Sequence, residues 1–61
     1  MSPDDKQLAA HMLRELESPS KELTSWELGF LESVGDQLET RGSMTDKQME
    51  ILKRIYEEKT A

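Results

Sequence analysis

Two short stretches of the chain, residues 23–28 and 44–49, share one arrangement of threonine, acceptor side chain and flanking apolar residues. In each stretch a threonine is followed three residues later by Glu or Gln: Thr24 with Glu27, and Thr45 with Gln48. This spacing is a capping box. The threonine hydroxyl accepts a hydrogen bond from the N3 amide, and the N3 side chain accepts one from the N-cap amide. Because Gly42 lies between the boxes, the sequence predicts two helices joined by a tight turn, which is a helical hairpin.

A separate helix is predicted before the hairpin, from about residue 3 to residue 17. Ser2 is the expected N-cap, and Pro3 falls at the first helical position, where its missing N–H costs nothing. The apolar residues at helical spacing are Leu8, Ala9, Met12, Leu13 and Leu16. Pro19 disfavours a helical residue before it, so this helix should stop there, and residues 18–22 form the linker.

The hairpin helices are predicted over residues 25–41 and 46–59. On a helical wheel the apolar arc of the first spans about 140° and that of the second about 160°. The first arc contains Trp26, Phe30, Leu31, Val34 and Leu38. The second contains Met49, Ile51, Leu52, Ile55 and Tyr56. One neighbouring helix does not cover an arc of the second width, so the third helix or another chain should cover the remainder.

The length of 61 residues allows one domain, and without cysteine no disulfide stabilises it. The predicted fold class is all-α, a small three-helix domain built on a helical hairpin. Two variants remain open: self-association could complete the core, and the first helix could dock only loosely.

On the outer face of the last helix we expect ion pairs four residues apart. They are Glu50 with Arg54, Lys53 with Glu57, and Arg54 with Glu58.

Two glycines interrupt the middle helix, and each costs about 1 kcal/mol relative to alanine. Gly35 borders the apolar arc, so close approach of another helix is the expected reason for it. Gly29 lies on the polar side. There it is either a flat contact point for a partner or a tolerated imperfection.

Catalysis is not expected, because the groups that it requires are missing or do not converge. The chain has one histidine, His11, no cysteine, no glycine-rich phosphate loop and no spacing typical of a metal site. His11 should pair with Glu15 in solvent. The sequence predicts no catalytic residue, no cofactor or metal site and no small-molecule substrate. It also lacks a signal peptide and a membrane span, which predicts a cytoplasmic location.

A protein partner is the favoured ligand. A further option is a homo-oligomeric structural module such as a homodimer, in which Met49, Ile55 and Tyr56 lie at a two-fold interface. Aromatic and apolar anchors rimmed by charge are typical of such surfaces. The candidate partner-binding residues are Trp26, Gly29, Met49, Ile55 and Tyr56. A tryptophan at helical spacing is more often buried in the core than exposed. Whether Trp26 and Tyr56 belong to the core or to the surface stays open.

The charge distribution leaves direct DNA or RNA binding as the alternative function. The net charge is −5, and residues 1–40 carry three basic and nine acidic side chains. A surface of this sign repels phosphate, although the acidic faces could imitate the charge of DNA. The hairpin turn and third helix carry the basic candidates for nucleic-acid binding: Arg41, Lys47, Lys53 and Arg54.

A further pattern extends over residues 23–56 and leaves the first helix outside. It consists of Trp26-Glu27, Phe30-Leu31, Ser33, Gln37-Leu38, Arg41-Gly42, Thr45, Lys47-Gln48, Ile51-Leu52 and Ile55. It resembles a short helical segment of many small phage and prophage proteins, some associated with DNA replication, recombination or repair. The resemblance implies a virus-derived accessory protein or docking module. Together with the acidic balance and the wide apolar arc of the third helix, it favours an adaptor or inhibitor of a protein of nucleic-acid metabolism. It implies no catalytic residue.

Overall fold

The computed structural model of the chain describes residues 2–18 and 22–60. It contains three helices, α1 (Pro3–Leu16), α2 (Ser25–Arg41) and α3 (Asp46–Thr60), and the described ranges have no strand. The all-α, three-helix fold class is therefore confirmed. The limits of the helices differ from the predicted ones by at most one residue. The stop predicted at Pro19 lies outside the described residues.

Both predicted capping boxes have their reciprocal hydrogen bonds. The Thr24 hydroxyl accepts from the Glu27 N–H at 3.1 Å, and Glu27 Oε1 accepts from the Thr24 N–H at 2.8 Å. Thr45 and Gln48 repeat the arrangement at 3.1 and 2.9 Å. At the start of α1 the Ser2 hydroxyl accepts an amide hydrogen bond of 3.2 Å. The interactions of neighbouring residues thus fix where each helix begins.

Gly42 ends α2 in the left-handed conformation, with φ 74° and ψ 14°, and its N–H donates to the Leu38 carbonyl at 2.9 Å. We expect Gly42→Ala to lower the free energy of unfolding by about 1–2 kcal/mol, because a Cβ disfavours this conformation. An added Cβ would lie 3.5 Å from the Lys6 Nζ, so the cost is conformational rather than steric.

The measurement is urea unfolding followed by circular dichroism. Gly29→Ala is the matched control, since a Cβ at Gly29 meets nothing within 4 Å and its φ is not positive. That change should raise stability by about 1 kcal/mol. Equal stabilities for the two variants would contradict the role assigned to Gly42.

The core receives side chains from all three helices and from the turn before α3. Its buried members are Ala9, Met12, Leu13, Leu16, Leu31, Val34, Leu38, Met44, Leu52 and Ile55. Helix α1 packs most closely against α3, whereas α2 approaches α3 least closely. The alternative of a loosely docked first helix is therefore wrong.

The buried face of α2 is rotated from the predicted arc. It consists of Glu27, Leu31, Val34 and Leu38, while Trp26 is 62% exposed. Consecutive helical residues point about 100° apart, so burying Glu27 turns Trp26 towards solvent. In α1 the predicted core residue Leu8 is likewise 42% exposed. The expected core position of Leu8 is therefore wrong, and of the two positions left open for Trp26 the structure shows the exposed one.

Two polar pairs connect α2 to α3, one at each end of the hairpin. Near the turn, Gln37 Nε2 donates to Gln48 Oε1 at 3.1 Å, and Gln48 Nε2 donates to Gln37 Oε1 at 3.2 Å. At the open end, Lys59 Nζ lies 3.4 Å from Glu27 Oε1. Both pairs span the two helices, so they fix the helices relative to each other.

The ion pairs expected along α3 do not form, although all of their residues are described. Neither Glu50 nor Glu58 pairs with Arg54, and Lys53 does not pair with Glu57. Exposed pairs of this kind contribute little, because holding two long side chains together costs entropy.

His11 also lacks the expected pairing with Glu15, since no ion pair joins them. Its ring centroid lies 6.2 Å from that of Tyr56 at an interplanar angle of 59°. Tyr56 is half-buried and packs against the core. The histidine thus belongs to the contact between α1 and α3.

Candidate functional site

Trp26 is the most exposed large hydrophobic side chain of the described residues, with 62% of its surface accessible. Its ring is stacked on Phe30, with centroids 5.4 Å apart and an interplanar angle of 8°. The two residues are four apart in α2, a spacing that places side chains one above the other on a helix. Phe30 therefore supports the indole of Trp26 from one side.

A groove of about 390 Å³ adjoins Trp26, between the start of α2 and the outer face of α3. We call it the Trp26 groove. Its apolar lining is Trp26, Ile51 and Ile55. Ile51 is half-buried and Ile55 is 4% exposed, so the isoleucines form a floor and the indole forms a wall.

The rim of the Trp26 groove carries both signs of charge. Lys47, Glu50, Arg54 and Glu58 line it, and all four are exposed. Their spacing of three or four residues places them along one face of α3. The acidic pair cancels the formal charge of the basic pair. A rim of this kind suits a protein surface that carries both signs better than it suits phosphate.

Glu27 lies at the base of the groove and is 9% exposed, the one buried charged residue of the described chain. The hydrogen bond from the Thr24 backbone lowers the pKa of this carboxyl from its ordinary value, and Lys59 acts in the same direction against the opposing effect of burial. Glu27 thus joins the capping box to the ion pair with α3. The sequence pattern predicted the capping box but not the ion pair with Lys59.

The lowered pKa of Glu27 predicts a loss of stability in acid. A carboxyl whose folded-state pKa is depressed stabilises the fold fully above its unfolded pKa, and the contribution is lost as pH falls through the folded pKa. We therefore expect the midpoint of thermal unfolding to fall as the pH drops through and below the range in which an ordinary glutamate titrates, about pH 4.3.

Thermal melts of wild type and Glu27→Gln across this range provide the measurement. The variant keeps an acceptor for Thr24 but does not titrate, so its midpoint should fall less steeply. Parallel curves would show that Glu27 does not cause the acid sensitivity.

The structure separates the five candidate partner-binding residues. Trp26 and Ile55 meet in the Trp26 groove, where Ile55 contributes little exposed surface. Gly29 is exposed on the outer face of α2 beside a shallow polar hollow. Met49 and Tyr56 are half-buried against the core and do not line the groove. Ile51 also lines the groove but was not among the candidates predicted from the sequence. Its position, three residues before Arg54 and four after Lys47, places it on the same face of α3 and could have indicated it.

The four basic candidates do not form one patch. Lys47 and Arg54 line the Trp26 groove, whereas Lys53 points about 100° away from Arg54. Arg41 lines a separate hollow near the end of α2. All four side chains are exposed. The basic side chains that could contact a phosphate backbone thus point in three different directions.

The described chain shows no sign of a metal site, since residues 2–18 and 22–60 contain no group of three potential ligands. None of its helices is long and apolar enough to cross a bilayer. No family model, curated protein or solved structure compared with the chain matches it significantly.

Proposed function

We propose that this chain is a non-enzymatic protein-binding module that docks on a partner protein through the Trp26 groove. The observation that carries the proposal is the exposed indole, 62% accessible and stacked on Phe30. Burying a tryptophan side chain is strongly favourable, so leaving it in solvent has a cost that a partner would remove.

Tryptophan is also enriched among the residues that dominate protein interfaces, where charged or polar residues surround a central apolar anchor. The Trp26 groove has this arrangement. An apolar floor and wall lie at its centre, and Lys47, Glu50, Arg54 and Glu58 surround them. The partner should therefore present an apolar side chain flanked by both acidic and basic groups.

The kind of partner is proposed from the resemblance to phage-type segments and from the acidic balance of the chain. We propose an adaptor or inhibitor that acts on a protein of nucleic-acid metabolism. Proteins that bind DNA or RNA present basic surfaces, to which a chain with a net charge of −5 is attracted.

Direct nucleic-acid binding is the second candidate, because Trp26 shares its groove with Lys47 and Arg54. An aromatic ring between basic side chains is typical of single-strand binding by base stacking. A titration with single-stranded DNA at several salt concentrations separates the two functions. Nucleic-acid binding should weaken steeply with salt, and Lys47→Ala should reduce the slope by about one.

Capture from a bacterial lysate tests the proposed function. Three tagged proteins are compared: wild type, Trp26→Ala and Leu8→Ala. Leu8 is a suitable control because it is an exposed apolar residue on another helix. A partner of the groove should be retained by wild type and by Leu8→Ala but not by Trp26→Ala. Nuclease treatment should not release it.

Light scattering at several concentrations completes the test. A dimer that Trp26→Ala abolishes would make a second copy the occupant of the groove. Identical capture by all three proteins would overturn the proposal.

A further inference from the structure

A second groove of about 450 Å³ lies between α1 and α2. We propose that it binds a basic amphipathic helix of a partner protein. We call it the acidic groove. The core residues Leu13, Leu31 and Leu38, each only 2–7% exposed, lie at its base, and Ala10 and Gly35 line its walls. Its acidic rim includes Glu17, Glu32 and Asp36. The surface is distinct from the Trp26 groove and does not depend on it.

Gly35 lines the acidic groove and adds no side chain to it. A Cβ built at Gly35 would meet nothing within 4 Å, so the close helix approach predicted from the sequence is wrong. Within the fold, alanine would suit this helical position better than glycine. Gly35 nevertheless keeps the wall of the groove flat, as does the small side chain of Ala10 on the facing helix. A docked backbone that approaches closely accounts for the glycine.

The charge of the rim selects the partner. Four carboxylates and one guanidinium line the rim, and all five side chains are exposed. The carboxylates are those of Glu17, Glu32, Asp36 and Glu39, and the guanidinium is that of Arg14. This surface attracts lysine and arginine and repels phosphate. A second copy of this acidic chain would bring mainly like charge. The charge complement is therefore a partner segment rich in basic residues.

The shape of the groove favours a helix as that segment. Side chains of one helix fill the furrow between two others by packing ridges into grooves. The described residues offer no unpaired strand edge to which an extended peptide could add. Leu28 lies seven residues before Gly35 on the same face of α2 and is 53% exposed, so the apolar strip continues beyond the groove. The aliphatic stems of lysine and arginine can pack on the walls at Ala10 and Gly35 while their charges meet the rim.

The two grooves lie on opposite sides of α2. Trp26 and Gly35 are nine residues apart, which corresponds to about 180° on the helix. A ligand of the acidic groove should therefore leave the indole untouched, and the chain could hold two partners at once.

The test uses a fluorescent peptide of about 18 residues, long enough for several helical turns, with a leucine stripe flanked by lysines. Anisotropy should report binding to wild type, and Gly35→Leu, which fills the groove, should weaken it at least tenfold. Ser25→Leu is the matched control, because Ser25 is an exposed residue of the same helix that lines neither groove, and it should leave the affinity unchanged. A peptide of the same composition without the stripe should bind at least tenfold more weakly.

Two further measurements keep the proposal falsifiable if Gly35→Leu fails to fold. The double variant Glu32→Gln, Asp36→Gln should weaken binding and reduce its dependence on salt. The emission of Trp26 in the wild type should not change when the peptide binds. Equal binding of the peptide lacking the stripe, equal affinity of Gly35→Leu, or a shift in Trp26 emission would overturn the proposal. So would light scattering that shows a dimer lost in Gly35→Leu, since a second copy would then occupy the groove.

Discussion

Leu52→Ala is expected to lower the free energy of unfolding by about 2–5 kcal/mol, the largest effect of any single truncation proposed for this chain. Leu52 is 0% exposed and belongs to the core that all three helices share. Removing its side chain loses apolar burial and leaves a cavity that the neighbouring helices cannot fully close. For a 61-residue domain the total stability is about 3–9 kcal/mol, so the variant should lose a large part of it.

Urea unfolding followed by circular dichroism measures this loss. Leu28→Ala is the matched control, since it removes the same atoms from a residue that is 53% exposed. It should change stability by about 0.5 kcal/mol or less. Similar losses in the two variants would mean that Leu52 is not at the centre of the core.

Trp26→Ala should have the opposite profile, with a large effect on binding and a small one on stability. Removal of a central interface tryptophan typically costs at least about 2 kcal/mol of binding energy. Such a loss weakens the complex about 30-fold. The fold should lose no more than about 1.5 kcal/mol, because Trp26 is mostly exposed and its described ring contact is with Phe30.

Isothermal titration with the captured partner measures the binding loss, and thermal melts measure the stability. Trp26→Phe should bind with intermediate affinity, since it keeps an aromatic ring but buries less area. Leu8→Ala should bind like wild type. A complex that Trp26→Ala leaves intact would exclude the indole as the anchor, and parallel losses of binding and stability would indicate a structural role instead.

The helix limits were predictable because they depend on neighbouring residues. Thr24 with Glu27, and Thr45 with Gln48, form hydrogen bonds over three residues, and those bonds exist in the structure. Gly42 at the end of α2 is a local signal of the same kind. Interactions of this range do not depend on how the helices pack, so the sequence alone carries them.

The face that α2 buries was not predictable from hydrophobicity. A wheel that ranks residues by polarity places Trp26 inside and Glu27 outside, and the structure has the reverse. Glu27 can be buried because the Thr24 amide and Lys59 satisfy its carboxylate. The second of these partners comes from α3, and no local pattern indicates it. The candidate site around Trp26 was therefore only partly foreseen.

Gly35 illustrates a second limit. The sequence marks a glycine within a helix as unusual, but it does not tell whether the space beside it is filled or open. The predicted neighbour was a helix of the same fold, whereas a Cβ at Gly35 meets nothing within 4 Å.

The two polar pairs of the hairpin restrict how α3 can move along α2. Contacts between aliphatic side chains are non-directional, so leucine stripes alone would tolerate neighbouring alignments. A slide of one helical turn displaces α3 by about 5.4 Å, well beyond the reach of a hydrogen bond. Such a slide would separate Gln37 from Gln48 and Glu27 from Lys59 at once. One alignment satisfies both ends, and in it the wall and the floor of the Trp26 groove face each other.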